Sequence, residues 1–196
     1  MARRFRTKYE FKPDSDKIPL AKKLHLTRQQ KLHLLKWSLY SLLCLFLLIL
    51  QDVVMSRISI YGATTDLVPC AILLITVLAD AHAGSMFVLF SSMFYVFSGS
   101  APGPYAIGYL TVLGVGAALI RQIYWRRDFS SNMLCAGAAM MLYELAVYAT
   151  GIFMGLTYWG RIDVFALTGG ISLVIMLALY PLVRVIGKIG GETWTE

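Results

Sequence analysis

Apolar residues fall along this chain in six runs that begin near residue 37, separated by short polar, glycine-rich or proline-rich breaks. The first run, Trp37 to Val54, contains nine consecutive apolar residues from Leu42 to Leu50 and is closed by Gln51 and Asp52. Trp37 and Tyr40 stand where an interfacial aromatic belt is expected for a membrane helix. After a short loop over 55–65, a second run extends from Asp66 to Ala79, with Pro69 in its first turn, where a missing N–H costs least. The weak break Asp80 to Gly84 leads to a third run, Ser85 to Phe97. Thirteen residues reach only about 20 Å, against about 30 Å of hydrocarbon. Runs two and three are therefore either short segments tilted through a protein-lined region or the arms of a re-entrant hairpin.

Two prolines and two glycines within Ser98 to Pro104 enforce a turn. A fourth run, Tyr105 to Tyr124, carries Gly108, Gly114 and Gly116 and ends in the basic residues Arg121, Arg126 and Arg127. A fifth, Asn132 to Leu156, and a sixth, Phe165 to Val183, flank a short polar loop holding Tyr158, Trp159, Arg161 and Asp163. The pattern predicts an all-α integral membrane protein, a compact bundle of six transmembrane helices. Its organisation would be a basic tail (1–36), a membrane domain (37–184) and a short polar end (185–196).

Composition strengthens this reading. The chain is 58% hydrophobic and 15% charged, whereas an ordinary soluble domain has about 45–50% apolar and about 25% charged residues. Its 196 residues leave no room for a second soluble domain beside the spans. The net charge of +7 could suggest nucleic acid, but eleven of the 18 Lys and Arg residues precede the first run. Basic residues beside a span are a topology signal and a contact for anionic lipid. Lys22, Lys23, Arg28, Lys31 and Lys36 would meet lipid phosphates, on an interfacial helix or on a disordered tail. With both termini cytoplasmic and six spans, sixteen basic residues lie inside, the Arg121, Arg126 and Arg127 cluster and Arg184 and Lys188 included. Only Arg57 and Arg161 lie outside. This places the chain in a bacterial cytoplasmic membrane as a multi-pass protein.

Candidate chemistry is sparse. Cys44, Cys70 and Cys135 sit within apolar runs without metal-ligand spacing, as small buried hydrophobes do. The three histidines are scattered, and there is no Walker loop, Gly-x-Ser-x-Gly or Cys-x-x-Cys. No enzyme activity, metal or cofactor is expected. Glu144, near the middle of the fifth run, is the sharpest residue, because a carboxylate at that depth costs about 2.5–3.5 kcal/mol or more and must face protein. Three roles stay open for it: a neutral structural glutamate, a partner contact, or a proton or ion site. Ser91, Ser92, Thr111, Tyr143 and Tyr148 are its candidate neighbours. Gly151 and Gly155 form a Gly-x-x-x-Gly pair that permits close helix approach, within the bundle or between subunits. Asp66, Asp80 and Asp163 fall at run ends, where solvated termini are the default, with Asp66 also suited to a helix N-terminus.

Several of these features together resemble the family of the rod shape-determining protein MreD. They are the first span closing on Leu50-Gln51, the Asp66-Leu67-Val68-Pro69 start of the second, the Ser98 to Pro104 turn followed by Tyr105-Ala106-Ile107-Gly108, and a Gly-rich fourth span ending in Arg. The resemblance covers about residues 32–190. The family usually carries Gly-Leu and then Asp in the third span, where this chain has Ser91-Ser92-Met93-Phe94-Tyr95, so that aspartate's role does not transfer. The resemblance implies a non-enzymatic component of the cell-wall elongation complex, holding or regulating an MreC-like bitopic protein, MreB, and a peptidoglycan polymerase and transpeptidase. It makes Gln51 and Asp66 candidates for partner contact or packing. The family is also similar in architecture to the substrate-binding S-components of energy-coupling-factor vitamin transporters, which is the alternative reading. The bulky first run, without a small-residue docking pattern, counts against it.

The charge asymmetry gives a direct test of orientation. Reporter fusions after Asn132 and Thr195 are expected to read cytoplasmic, and those near Met55, Pro102 and Trp159 external. A cytoplasmic signal at Trp159 would overturn the topology.

Overall fold

The structure, a computed structural model, describes residues 28–54, 65–79, 81–124 and 128–189. Those residues form six α-helices: α1 (Arg28–Val53), α2 (Leu67–Leu78), α3 (Ala81–Phe97), α4 (Tyr105–Tyr124), α5 (Phe129–Phe153) and α6 (Ile162–Gly187). A short 3-10 turn, Trp159–Arg161, leads into α6.

Four of them, α1, α4, α5 and α6, are long and apolar enough to cross a membrane. The other two are shorter, 12 residues in α2 and 17 in α3. At 1.5 Å per residue they extend about 18 and 26 Å, short of the roughly 30 Å core. The third helix is longer than its apolar run because Ala81 to Gly84 continue it as regular helix. In the same way α1 begins at Arg28, so Lys31 and Lys36 stand on the helix that carries the first span.

The short α2 is the axis of the bundle. It touches each of the other five helices, which surround it in the order α1, α3, α4, α5, α6, with α6 returning to α1. Eleven of its 12 residues are buried. Its sequence, apolar on every side, suits enclosure rather than a surface with one wet face. By contrast, α1 buries only the stripe Tyr40, Cys44, Leu47 and Gln51, spaced by four, three and four residues on one helix face. Leu42, Leu45, Phe46 and Ile49 on the rest of α1 are exposed, as are Phe94, Val112, Leu145 and Val174 around the ring. An apolar periphery of this extent is the surface of a protein whose solvent is lipid.

Close approaches in the ring rest on glycine. A β-carbon on Gly84 of α3 would meet the Thr76 carbonyl oxygen of α2 at 2.9 Å, and one on Gly114 of α4 would meet Val88 Cγ2 at 3.1 Å. The expected Gly151/Gly155 pair does something else. Gly155 lies beyond the end of α5 with φ +70°. The Leu156 N–H donates to the Gly151 carbonyl at 2.8 Å and the Gly155 N–H to the Ile152 carbonyl at 3.0 Å. This is a Schellman stop, in which a glycine takes up the left-handed conformation that ends a helix. The space over Gly151 is filled by Thr157 of the same connection, whose methyl would lie 3.0 Å from an added β-carbon, and not by another helix.

Both ends of α2 are closed by side chains from the ring. At its start, the Val68 N–H donates to Gln51 Oε1 of α1 at 2.9 Å, and Pro69 has no N–H to satisfy. At its finish, Arg121 Nη2 of α4 donates to the Ala79 carbonyl at 3.2 Å while Nη1 donates to Asn132 Oδ1 of α5 at 3.3 Å. Arg121 is only 5% exposed. The residue expected to mark topology from a wet boundary is thus a buried cap.

Removing either cap should leave a buried backbone group unsatisfied, a cost of about 1–3 kcal/mol. Gln51→Leu is expected to lower the thermal unfolding midpoint of the purified protein, and Arg121→Lys to lower it as well, since an ammonium cannot reproduce the two-pronged guanidinium contact. Unchanged midpoints for both variants would show that the caps do not support α2.

Candidate functional site

The N-terminal end of α2 carries the densest polar grouping in the interior. Asp66, at the helix N-cap, makes no capping bond to its own helix. Its carboxyl lies within hydrogen-bonding reach of the Glu144 carboxyl of α5. Two carboxyls can share a hydrogen bond only when one of them holds a proton. Glu144 is 5% exposed, and Asp66 is half-buried. Gly169 lets α6 come close to α5 beside Glu144, since an added β-carbon would meet Met141 Sδ at 2.9 Å and Glu144 Cγ at 3.8 Å.

Two tyrosines lie near the pair. The Tyr95 hydroxyl of α3 is within hydrogen-bonding reach of Gln51 and of Tyr143 of α5, and both tyrosines are near enough to feel charge on Asp66 and Glu144. Both are completely buried. The two hydroxyls are within reach of one another but not aligned for a well-formed hydrogen bond among the described residues, and Glu144 Oε1 has no partner there. Beside them, the Cys70 thiol donates to the Ser172 carbonyl of α6 at 3.3 Å, and the Ser172 hydroxyl is unpartnered among the described residues. Among those residues, no lysine, arginine or histidine acts on Asp66 or Glu144, and no group of three His, Cys, Asp or Glu side chains is placed to hold a metal ion.

A second polar contact joins the same end of the bundle. The Ser100 hydroxyl donates to the exposed Asp52 carboxylate at the end of α1, and Tyr105 caps the turn by donating to the Pro102 carbonyl at 3.2 Å. The turn 98–104 is therefore tied to α1 beside Gln51.

The structure brings together three of the sequence candidates, Gln51, Asp66 and Glu144, and separates the others. Asp66 is not a solvated terminus but the partner of Glu144. Of the neighbours expected for Glu144, Tyr143 lies near it in the interior, and two others bond elsewhere. The buried Ser92 hydroxyl returns to its own helix at Leu89, 2.9 Å away, and Tyr148 donates to the Trp159 carbonyl at 3.0 Å. Asp163, Tyr158, Trp159 and Arg161 are exposed, Arg161 lying over the Tyr158 ring. Lys31, Arg184 and Lys188 are exposed and Lys36 is half-buried. Lys22, Lys23, Arg57, Asp80, Arg126 and Arg127 lie outside the described residues, and so does the Arg28 side chain. Tyr95 was not legible as a site residue, although its position three residues beyond the buried Ser92 puts it on the same face of α3.

Comparison with protein-family models, with curated proteins and with solved structures finds no match to this chain.

The pair predicts a contrast between two substitutions. In Glu144→Gln the amide can still donate to Asp66, so the protein is expected to insert and fold with little loss. Glu144→Leu leaves Asp66 facing an apolar surface and should lower stability by about 1–3 kcal/mol. Equal unfolding midpoints for the two variants would remove Glu144 from the bundle's polar framework.

Proposed function

We propose that this protein is a non-enzymatic membrane component of the bacterial cell-wall elongation complex, similar to MreD, working in the cytoplasmic membrane with both termini inside. The observation that carries the proposal is the convergence of the segments that bear the resemblance. Leu50-Gln51, the Asp66 to Pro69 helix start and the Ser98 to Pro104 turn are far apart in sequence, yet they meet at one end of the bundle. Gln51 accepts from Val68 there, and Ser100 donates to Asp52. A shared motif set gains weight when its parts build one structural unit.

The working surface in this reading is lateral. Bulky apolar side chains on α1, from Leu42 to Ile49, and on the outer faces of α3 to α6 suit contacts with other membrane helices, by packing rather than by polar chemistry. The partners would be an MreC-like bitopic protein and the polymerase and transpeptidase of the complex, with MreB on the cytoplasmic side. Exposed Lys31, Arg184 and Lys188 suit anionic lipid.

One observation favours the alternative, a vitamin-binding S-component. The polar cluster around Asp66 and Glu144 is of the kind that orients a ligand among apolar walls. Against it, the exposed face of α1 is bulky, where docking to a coupling subunit would use small residues.

The readings separate in cells and in the tube. Depletion is expected to round or widen rod-shaped cells without changing vitamin uptake, and affinity purification from native membranes should recover cell-wall synthases and a bitopic partner. Submicromolar vitamin binding by the purified protein, with normal cell shape after depletion, would reverse the assignment.

A further inference from the structure

Where α1 meets α6, the outer surface of the bundle is indented. The Tyr40 hydroxyl donates to the Val183 carbonyl at 3.3 Å, and a β-carbon on Gly187 would meet that hydroxyl at 3.0 Å. The two helices are thus drawn together near the start of the first span. Beside this contact lies an open groove of about 450 Å³, lined by Leu39, Leu42, Leu43, Phe46 and Ile49 of α1 and by Ile186 of α6. Leu39 and Leu43 are half-buried in it, and Leu42, Phe46 and Ile49 stand exposed along it.

The groove leads to positive charge. Along α1, Lys31, Leu35, Leu39, Leu42, Phe46 and Ile49 follow one another at three or four residues, which puts them on one face of the helix. Lys36 stands three residues before Leu39 and two turns before Leu43, at the edge of the same face. The stems of both lysines can lie along the leucines while their ammonium groups reach the headgroup layer. Beside them Trp37 packs on Phe87 of α3, with ring centroids 5.5 Å apart, at the interfacial level that tryptophan favours. The one acid on α1 is Asp52, at the opposite end of the helix. On α6, Arg184 and Lys188 lie two residues to either side of Ile186 and so on the far side of that helix. The charge at the groove therefore comes from α1.

We infer that this groove seats an acyl chain of one anionic phospholipid of the cytoplasmic leaflet, whose phosphate is held by Lys31 and Lys36. Such a lipid joins a hydrocarbon tail to a headgroup of opposite sign, matching both parts of the site. Protein occupants bring the wrong charge. A second copy in the same orientation would set its own Lys31 and Lys36 at this level, and a partner's helix would arrive with the basic flank usual at cytoplasmic span ends. The inference rests on the orientation proposed above, with the N-terminus of α1 inside, and not on the identity of the complex. Partners that approach this side of α1 then meet the lipid as part of its surface.

The test uses the full-length protein purified in a non-ionic detergent. Phosphatidylglycerol or phosphatidylcholine with identical acyl chains is added, and native mass spectrometry counts the lipid retained. The wild type is expected to prefer phosphatidylglycerol by on the order of tenfold, since each lysine near a headgroup contributes about fivefold. Exchanging both Lys31→Gln and Lys36→Gln should remove most of that preference. Basic residues elsewhere in the chain also attract anionic headgroups, so a variant that alters no charge separates a seat from diffuse attraction. Leu43→Trp, which fills the floor of the groove, should lower phosphatidylglycerol retention several-fold while the unfolding midpoint stays near that of the wild type. Ile186→Trp fills the groove from its other wall and serves if Leu43→Trp does not fold. Equal retention of the two lipids by the wild type, or undiminished phosphatidylglycerol retention in the filled variants, overturns the inference. So does a wild-type dimer that the filled variants reduce to a monomer, or a bitopic protein recovered with the wild type and lost from them, because the groove is then a protein interface. The readout involves no cell-shape phenotype, so this inference and the proposed function can fail separately.

Discussion

A helix enclosed on every side must find partners for its free backbone groups within the protein, because neither water nor lipid can supply them. That constraint governs this structure. The helix α2 is short and buried along almost its whole length, and the ring of five helices is arranged to close its two ends. Gln51 receives a first-turn N–H, and Arg121 donates to the last carbonyl. The macrodipole of α2 accounts for the signs of the charges around it. The acids Asp66 and Glu144 gather at the positive end, and the buried guanidinium stands at the negative end. These interior charges of the bundle therefore sit along one axis, each where the helix field favours it.

The same constraint divides the protein into an inner polar framework and an outer apolar one. Residues that specify the fold, such as Gln51, Arg121, Asn132 and Glu144, point inward and are buried. What the bundle offers to its surroundings is mostly bulky hydrocarbon. Any partner recognised through the sides of the helices must be read by shape. The end of the bundle where Asp52, Ser100 and Asp66 meet is the place where polar contact is available as well, and the motif-bearing segments assemble there.

Much of this was legible in the sequence. The apolar runs, the break at Ser98 to Pro104 and the sheltered position of Glu144 follow from hydropathy and from the cost of burying charge. Three things were not. An apolar stretch reads the same whether lipid or protein surrounds it, so Leu67 to Leu78 carried no sign of being the axis. Arg121 has the same charge as its neighbours Arg126 and Arg127, and only the geometry of Ala79 and Asn132 separates a cap from a topology signal. The pairing of Asp66 with Glu144 spans almost 80 positions, and no local pattern encodes a contact that the ring alone creates. The Gly151/Gly155 pair is the reverse case, where a helix-packing motif coincides with a helix stop because both use glycine.

The central place of α2 also bears on how the chain is built. This helix comes soon after α1 in the chain, yet groups that enclose it come from α4, α5 and α6, made later. Cys70 reaches Ser172 more than 100 residues downstream, and the cap at Ala79 awaits Arg121. Gln51 of α1 is already present to receive the Val68 N–H, but until those later segments arrive a segment too short to cross the bilayer has its C-terminal carbonyl open. Non-local contacts of this kind form slowly, because the chain must close long loops before it gains from them. Assembly of the bundle is therefore expected to be completed from its C-terminal half inward, with α2 the last helix to be fully enclosed.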